Sequence, residues 1–350
     1  MKKIKYIFFL LVLAFIGFVF YVFTLDSTFR VKRSRQMNVP QNLVYQQIAD
    51  LKNWENWSPW KEKDTSMVFD FSESTNKEGD YFRFQDENGQ YPKLTNLTLS
   101  PDSLIVQSLT TADQVQELKW HITPKDKGVE VTWEISGELP LLQRIYAKQM
   151  DDMIGPLMTR GLERIEEAAY RDMEKRDTKI DKVVELGSDY YLYETASCKM
   201  DQLGKTMDSI LPEVLIYAIK NRIKMNGKPF TIYEKYDTEN NSVIFSSCIP
   251  TKEKIEVDNP KILTGKTPGG KYLRSIFTGD YKFLREGWNI TYDSLRQMPQ
   301  LQIDSTRNPF EIYTKGHTLS PNPADWETEI YIPVKEVEIK KEESKPEMNE

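Results

Sequence analysis

The chain has 350 residues, with 47 Lys+Arg against 53 Asp+Glu, a formal net charge of -6, two Cys and two His. The length exceeds one ordinary core and suits about two domains of roughly 100 to 200 residues each. The absence of a global basic field argues against counterion-driven binding to nucleic acid. Cys198, Cys248, His121 and His317 are too few and too scattered for a disulfide framework or a zinc site, so no nucleic acid, metal or cofactor is expected.

Lys2, Lys3 and Lys5 precede an uncharged run from Tyr6 to Leu25. Twenty such residues in a helix match a hydrocarbon core of about 30 Å. Phe20, Tyr21, Val22 and Phe23 are bulky where a leader peptidase needs small residues, which favours an uncleaved anchor. Arg30, Lys32, Arg33 and Arg35 nearly balance the N-terminal lysines, so charge sets no orientation; the leader-like start alone favours an extracytoplasmic body.

Phe29 to Asn38 alternates as a strand does, and Pro40 opens a helix carrying Leu43, Val44, Ile48 and Leu51. Six short runs follow, Met67 to Phe71, Tyr81 to Phe84, Lys93 to Leu99, Leu104 to Leu109, Val115 to Ile122 and Val129 to Ser136, separated by turn signals, which predicts an antiparallel meander. Leu141 to Ala168 repeats apolar residues every three or four positions, a long amphipathic helix that Gly155-Pro156 is expected to bend. The charged stretch Arg171 to Lys182 reads as a boundary. The expected organisation is an anchor over 1–26, one domain over 27–175, a second over 181–335 and a charged, disordered tail over 336–350.

The second domain contains an internal repeat. Pro229-Phe230-Thr231-Ile232-Tyr233 returns as Pro309-Phe310-Glu311-Ile312-Tyr313, each preceded by a Tyr-bearing strand and an amphipathic helix and followed by a strand ending in Ile-Pro. The predicted unit is strand, helix, strand, strand, used twice, with both helices on one face of a sheet and a groove on the other. Alternation is expected to put Phe310 and Ile312 beneath the helices, turning Glu311 and Tyr313 to the groove, where Glu329 and Tyr331 join them. Thr231 stands where the second copy has Glu311, so the acid breaks the symmetry. Glu311 reads either as a ligand-binding acid or as a solvated sheet residue.

Both halves resemble known families. Asp50-Leu51-Lys52-Asn53-Trp54-Glu55-Asn56-Trp57-Ser58-Pro59-Trp60, behind Asn38-Val39-Pro40, resembles the opening of the SRPBCC (START-like, polyketide cyclase) superfamily. The resemblance implies a helix-grip fold around an apolar cavity, with Trp54, Trp57 and Trp60 either lining its mouth or packing as anchors. Pro268-Gly269-Gly270-Lys271-Tyr272, Thr278-Gly279-Asp280-Tyr281, Trp288, the second repeat motif and Trp326 to Val334 resemble the GyrI-like effector-binding domain of multidrug-sensing regulators. That resemblance implies a glutamate among aromatic rings binding lipophilic, often cationic compounds, with Glu311 or Glu329 as the acid and Tyr313, Tyr331, Tyr193 and Tyr272 as its surroundings. Family regulators carry a helix-turn-helix reader; this chain has an anchor and a START-like segment instead.

The expected fold class is therefore α+β: one transmembrane helix, a helix-grip START-like domain and a duplicated βαββ GyrI-like domain. The expected function is a membrane-tethered protein that binds or senses a small lipophilic ligand. Two alternatives stay open, a hydrolase in which Glu311 and Glu329 pair to activate water, and a scaffold for protein contacts. Convergence of the two carboxylates in a concave site separates them.

Overall fold

The computed structural model describes residues 2–86, 89–112 and 114–337. It is an α+β protein with two antiparallel sheets, and its chain divides into two compact units, Met1–Asp172 and Met173–Glu350.

The first unit begins with helix α1 (Lys2–Phe23), in which Ile4–Phe23 is long and apolar enough to cross a membrane. The elements that follow are β1 (Thr28–Met37), α2 (Gln41–Ala49), the short helices α3 (Trp54–Trp57) and α4 (Pro59–Lys63), and strands β2 (Phe69–Phe71), β3 (Tyr81–Phe84), β4 (Lys93–Ser100), β5 (Leu104–Thr110), β6 (Val115–Pro124) and β7 (Val129–Glu138). The strands form a seven-stranded sheet in the order β1-β7-β6-β5-β4-β3-β2, the expected meander with the first strand returned to its edge. A 3-10 segment, Leu141–Gln149, then leads into helix α5 (Met150–Met173). The predicted helix thus starts about two and a half turns later in true α form, and Pro156 lies inside it.

Alternation in β7 buries Val129, Val131, Trp133 and Ile135, while α5 buries Met158, Leu162, Ile165 and Ala169 at helical spacing, so helix and sheet share one core. Close approach there requires a glycine. A Cβ on Gly161 would come within 2.7 Å of the Trp133 ring and 3.3 Å of Pro59. Gly161→Ala is expected to destabilise this unit by about 1–3 kcal/mol through overpacking, measured as a lower midpoint in urea unfolding.

The second unit contains β8 (Asp177–Leu186), β9 (Tyr190–Lys199), α6 (Leu203–Lys220), β10 (Phe230–Asp237), β11 (Ser242–Thr251), β12 (Leu263–Lys266), β13 (Gly270–Thr278), α7 (Leu284–Arg296), β14 (Leu301–Ile303), β15 (Phe310–Lys315) and β16 (Glu327–Glu336). Its strand order is β12-β9-β11-β10-β15-β16-β13-β8, with β14 beside β16. The predicted repeat is present: β9-α6-β10-β11 and β13-α7-β15-β16 are related by a pseudo-twofold axis between β10 and β15. Half of the charged boundary stretch is not a linker, because Asp177 to Lys182 belong to β8, paired with β13. Of the expected tail, Glu336 ends β16 and residues 338–350 lie outside the described residues.

Helix α6 packs chiefly on β9 and β11, and α7 on β8, β13 and β16, so the central β10–β15 pair lies in the gap between the helices. Leu192, Phe245, Ile249, Leu273, Ile330 and Ile332 form the core under the helices. The opposite face gathers Phe230, Ile232, Cys248, Tyr272, Phe310 and Tyr331, with Val184 and Leu186 of β8 and Tyr191 and Tyr193 of β9 packed onto the same cluster. Strands near both ends of the order meet there, so the sheet curls around this second core.

Candidate functional site

Cross-strand register fixes which side chains share the gap between the helices. Thr231 sits directly opposite Glu311, and Glu311 opposite Ile330, a residue of the core beneath the helices. Glu311 and Tyr313 therefore face the helices, and Phe310 and Ile312 face away. The expected arrangement is inverted. Alternation separates two faces without saying which one the helices cover, and Phe310 and Ile312 find apolar company on the far side, where Phe310 stacks on Tyr331 at 4.7 Å.

Three donors converge on the Glu311 carboxylate. Tyr233 Oη donates to Oε1 at 2.9 Å, Tyr313 Oη donates to the same oxygen at 2.7 Å, and Trp288 Nε1 of α7 donates to Oε2 at 2.7 Å. Tyr233 and Tyr313 occupy equivalent positions of the two repeats, each immediately before a register shift, between Tyr233 and Lys235 and between Tyr313 and Lys315. A bulge re-aims the strand locally, and here the paired bulges sit beside the two phenols that point at one acid. Thr231 completes the ring through a hydroxyl contact of 2.9 Å with Tyr313 Oη.

Glu311 is 0% exposed, and no ion pair to it occurs among the described residues. Burial pushes its pKa up from the ordinary carboxylate value, against the opposing effect of the hydrogen bonds from Tyr313, Trp288 and Tyr233. Burial followed by the charge of Glu311 raises Tyr233, Tyr313 and Tyr236, and takes Tyr281 up to about 12. The phenols stay protonated as donors. Rings continue outward on both sides: Tyr236 stacks on Tyr233 at 5.4 Å and Tyr292 on Trp288 at 6.1 Å, while Tyr281 meets Tyr313 at 5.6 Å and Trp326 at 4.8 Å.

Glu329 lies on the opposite face, with Tyr331, Tyr272 and Tyr193. Its carboxylate accepts from Tyr331 Oη at 2.6 Å and pairs with Arg274 at 3.3 Å, while Arg274 also holds Asp181. This acid already has a cationic partner, which it shares with Asp181. The six expected ligand residues are thus split, Glu311 and Tyr313 between the helices and the other four across the sheet. The two glutamates do not converge, which removes the geometric basis of a paired-carboxylate hydrolase.

Trp54 and Trp57 are fully buried rather than placed at a cavity mouth. They pack with Trp120 and Trp133, also fully buried, and their indole N–H groups donate to the Ile48 and Gln47 carbonyls at 3.0 and 2.8 Å. Trp60, half-buried, stacks on Trp54 at 5.7 Å and on Phe84 at 6.1 Å. Large aromatics with satisfied N–H groups are core residues, the second of the two readings given above.

Sequence reasoning missed Tyr233 and Trp288. The repeat itself pointed to Tyr233, since it is the first-copy equivalent of Tyr313. Trp288 was legible as an apolar helix residue and as one of the residues that carry the GyrI-like resemblance, but not as a ligand of the acid; a tryptophan on a buried stripe carries a donor that needs an acceptor.

Among solved structures, the EcmrR–DNA complex in EcmrR-RPo shares 17% identity over 56% of this chain and 72% of that one, with a TM-score of 0.40. The EcmrR C-terminal domain shares 17% identity over 46% of this chain and 99% of that one, with a TM-score of 0.39. A protein of unknown function from Staphylococcus aureus, SA2116, shares 13% over 41% and 94%, with a TM-score of 0.33. The exclusion of nucleic acid drawn from net charge is corrected here, because EcmrR is a similar chain captured with DNA. No curated protein sequence matches the chain. Residues 178–334 match the family model of Cass2, the integron-associated effector binding protein.

Proposed function

We propose that the second unit is an effector-binding module that takes a lipophilic cation at Glu311, and that the protein works as a membrane-tethered sensor. The observation that carries this reading is a fully buried carboxylate held by three neutral donors with no cationic partner among the described residues. Such a group is costly while ionised and unpaired. A cation entering between the helices supplies the missing charge and meets ring faces worth about 0.5–2 kcal/mol per contact. The match of residues 178–334 to an effector-binding family supports a binding role for this unit. In this reading α1 is the tether and the first unit is a START-like domain, supported by its seven-stranded antiparallel sheet and the long helix α5 packed on it.

The test is calorimetry on the full chain in detergent with tetraphenylphosphonium and, as a neutral counterpart, triphenylphosphine oxide. The cation is expected to bind and raise the unfolding midpoint, and the neutral compound to do neither. Equal binding of both, or binding of neither, would reject Glu311 as a cation site.

A further inference from the structure

The end of the first unit from which α1 emerges is apolar where the opposite end is not. The end of α1 packs against the 3-10 segment Leu141–Gln149, and Val22 is fully buried. Only residues 24–27 separate α1 from β1, a reach of at most about 14 Å. The Ser27 carbonyl also accepts from Leu139 N at 2.7 Å, just ahead of the segment. Leu142 (66% exposed), Ile145 (37%), Tyr146 (51%) and Met153 (62%) nevertheless project into solvent, three or four positions apart except for the adjacent Ile145 and Tyr146 and the longer step to Met153. The β5–β6 turn joins them, since Gln114 Nε2 donates to Gln143 Oε1 at 2.5 Å and Val115 beside it is 62% exposed. Turns 72–80, 101–103 and 125–128, at the other end of the same sheet, contain only polar, Pro and Gly residues.

Exposed apolar side chains gathered on one segment and the turn bonded to it mark an interaction site, whereas singly scattered ones would not. Its position names the occupant. A helix that crosses a bilayer and ends within a few residues of this patch brings it to the headgroup layer, where Tyr and aliphatic side chains partition. Arg144 and Lys148 lie on the same segment, and Asp151 in the next turn is paired with Arg33 at 2.7 Å. We propose that this pole is a second membrane contact, with Val115, Leu142, Ile145, Tyr146 and Met153 seated at the boundary between headgroups and acyl chains. The inference rests on reading α1 as a membrane span. It makes the first unit a body held against the bilayer surface rather than one swinging on a tether.

The experiment uses the full chain in phosphatidylcholine vesicles with and without brominated lipid. Single cysteines at Val115, Tyr146, Lys125 and Phe15 carry a bimane label, and the parent chain supplies the background from Cys198 and Cys248. Labels at Val115→Cys and Tyr146→Cys are expected to lose intensity in brominated vesicles, as the Phe15→Cys label in α1 does, while Lys125→Cys at the far pole stays unchanged. Quenching at Phe15→Cys with none at Val115→Cys or Tyr146→Cys overturns the docking and leaves the anchor standing. Labels at those two positions that are shielded from water but unquenched assign the patch to a second copy of the chain and also overturn it. Absence of quenching at all four positions removes the anchor and the docking together.

Discussion

Glu311→Gln is expected to weaken tetraphenylphosphonium binding by about 10- to 100-fold, as loss of a charge-assisted contact implies. The same variant is expected to be no less stable than the parent near neutral pH without ligand. Glutamine fits the donor set, because its carbonyl oxygen can accept from Trp288 while its amide donates to a phenol oxygen of Tyr233 or Tyr313. The pH dependence carries a definite sign. The folded pKa of Glu311 is raised above the ordinary value, so the folded chain holds this proton where the unfolded chain has released it. The stability it contributes is fully present below the ordinary carboxylate pKa and is lost as pH rises through the raised one. Thermal unfolding of parent and variant between about pH 4 and 8 isolates that slope as a difference. A slope that persists unchanged in Glu311→Gln would mean that the acid titrates like a solvated one. Ligand binding runs the other way with pH, because a proton competes with the cation and affinity falls as pH falls.

Trp57→Ala is expected to cost the first unit about 3–5 kcal/mol, the usual range for deleting a fully buried aromatic. The indole contacts Trp54 at 4.2 Å and Trp120 at 5.9 Å, and its N–H satisfies the Gln47 carbonyl, so removal leaves a void and an orphaned acceptor. Trp60→Ala is expected to cost less, since its half-buried ring stacks at the edge of the cluster. Urea unfolding checks both through the transition of this unit, which need not coincide with that of the second. A near-neutral Trp57→Ala would restore the cavity-mouth reading of the three tryptophans.

Much of the fold was legible because period-2 and period-3.6 patterns are strong where one face is buried. Strands β1 and β3 to β7 fall within a residue or two of their predicted spans, and the duplication was readable from Phe-Thr-Ile-Tyr against Phe-Glu-Ile-Tyr alone. Strand β8 was hidden for a physical reason. It is an edge strand, and such strands carry charge on their free side; Asp177, Lys179, Asp181 and Lys182 made it look like a linker while Ile180, Val183 and Val184 did the packing. The site was half legible. Glu311 and Tyr313 came from the repeat, yet their face was inverted because both sides of this curled sheet are cores, and an apolar residue satisfies either. Glu329 was an acid on the same sheet that shares a guanidinium with Asp181, a distinction that no spacing rule contains.

The seam between the repeats has an arithmetic of its own. Because Thr231 and Glu311 are direct cross-strand partners, an acid at both positions would bring two carboxylates side by side, with Cβ atoms roughly 4.5–5.5 Å apart. Such a pair shares a proton rather than carrying two charges. A symmetric doubling would therefore tie the acid of each repeat to the other through a shared proton, whereas the hydroxyl of Thr231 leaves Glu311 without a rival carboxylate and gives Tyr313 a partner at 2.9 Å. On the reading proposed above, the seam holds a single acid, and the stoichiometry expected is one cation per chain.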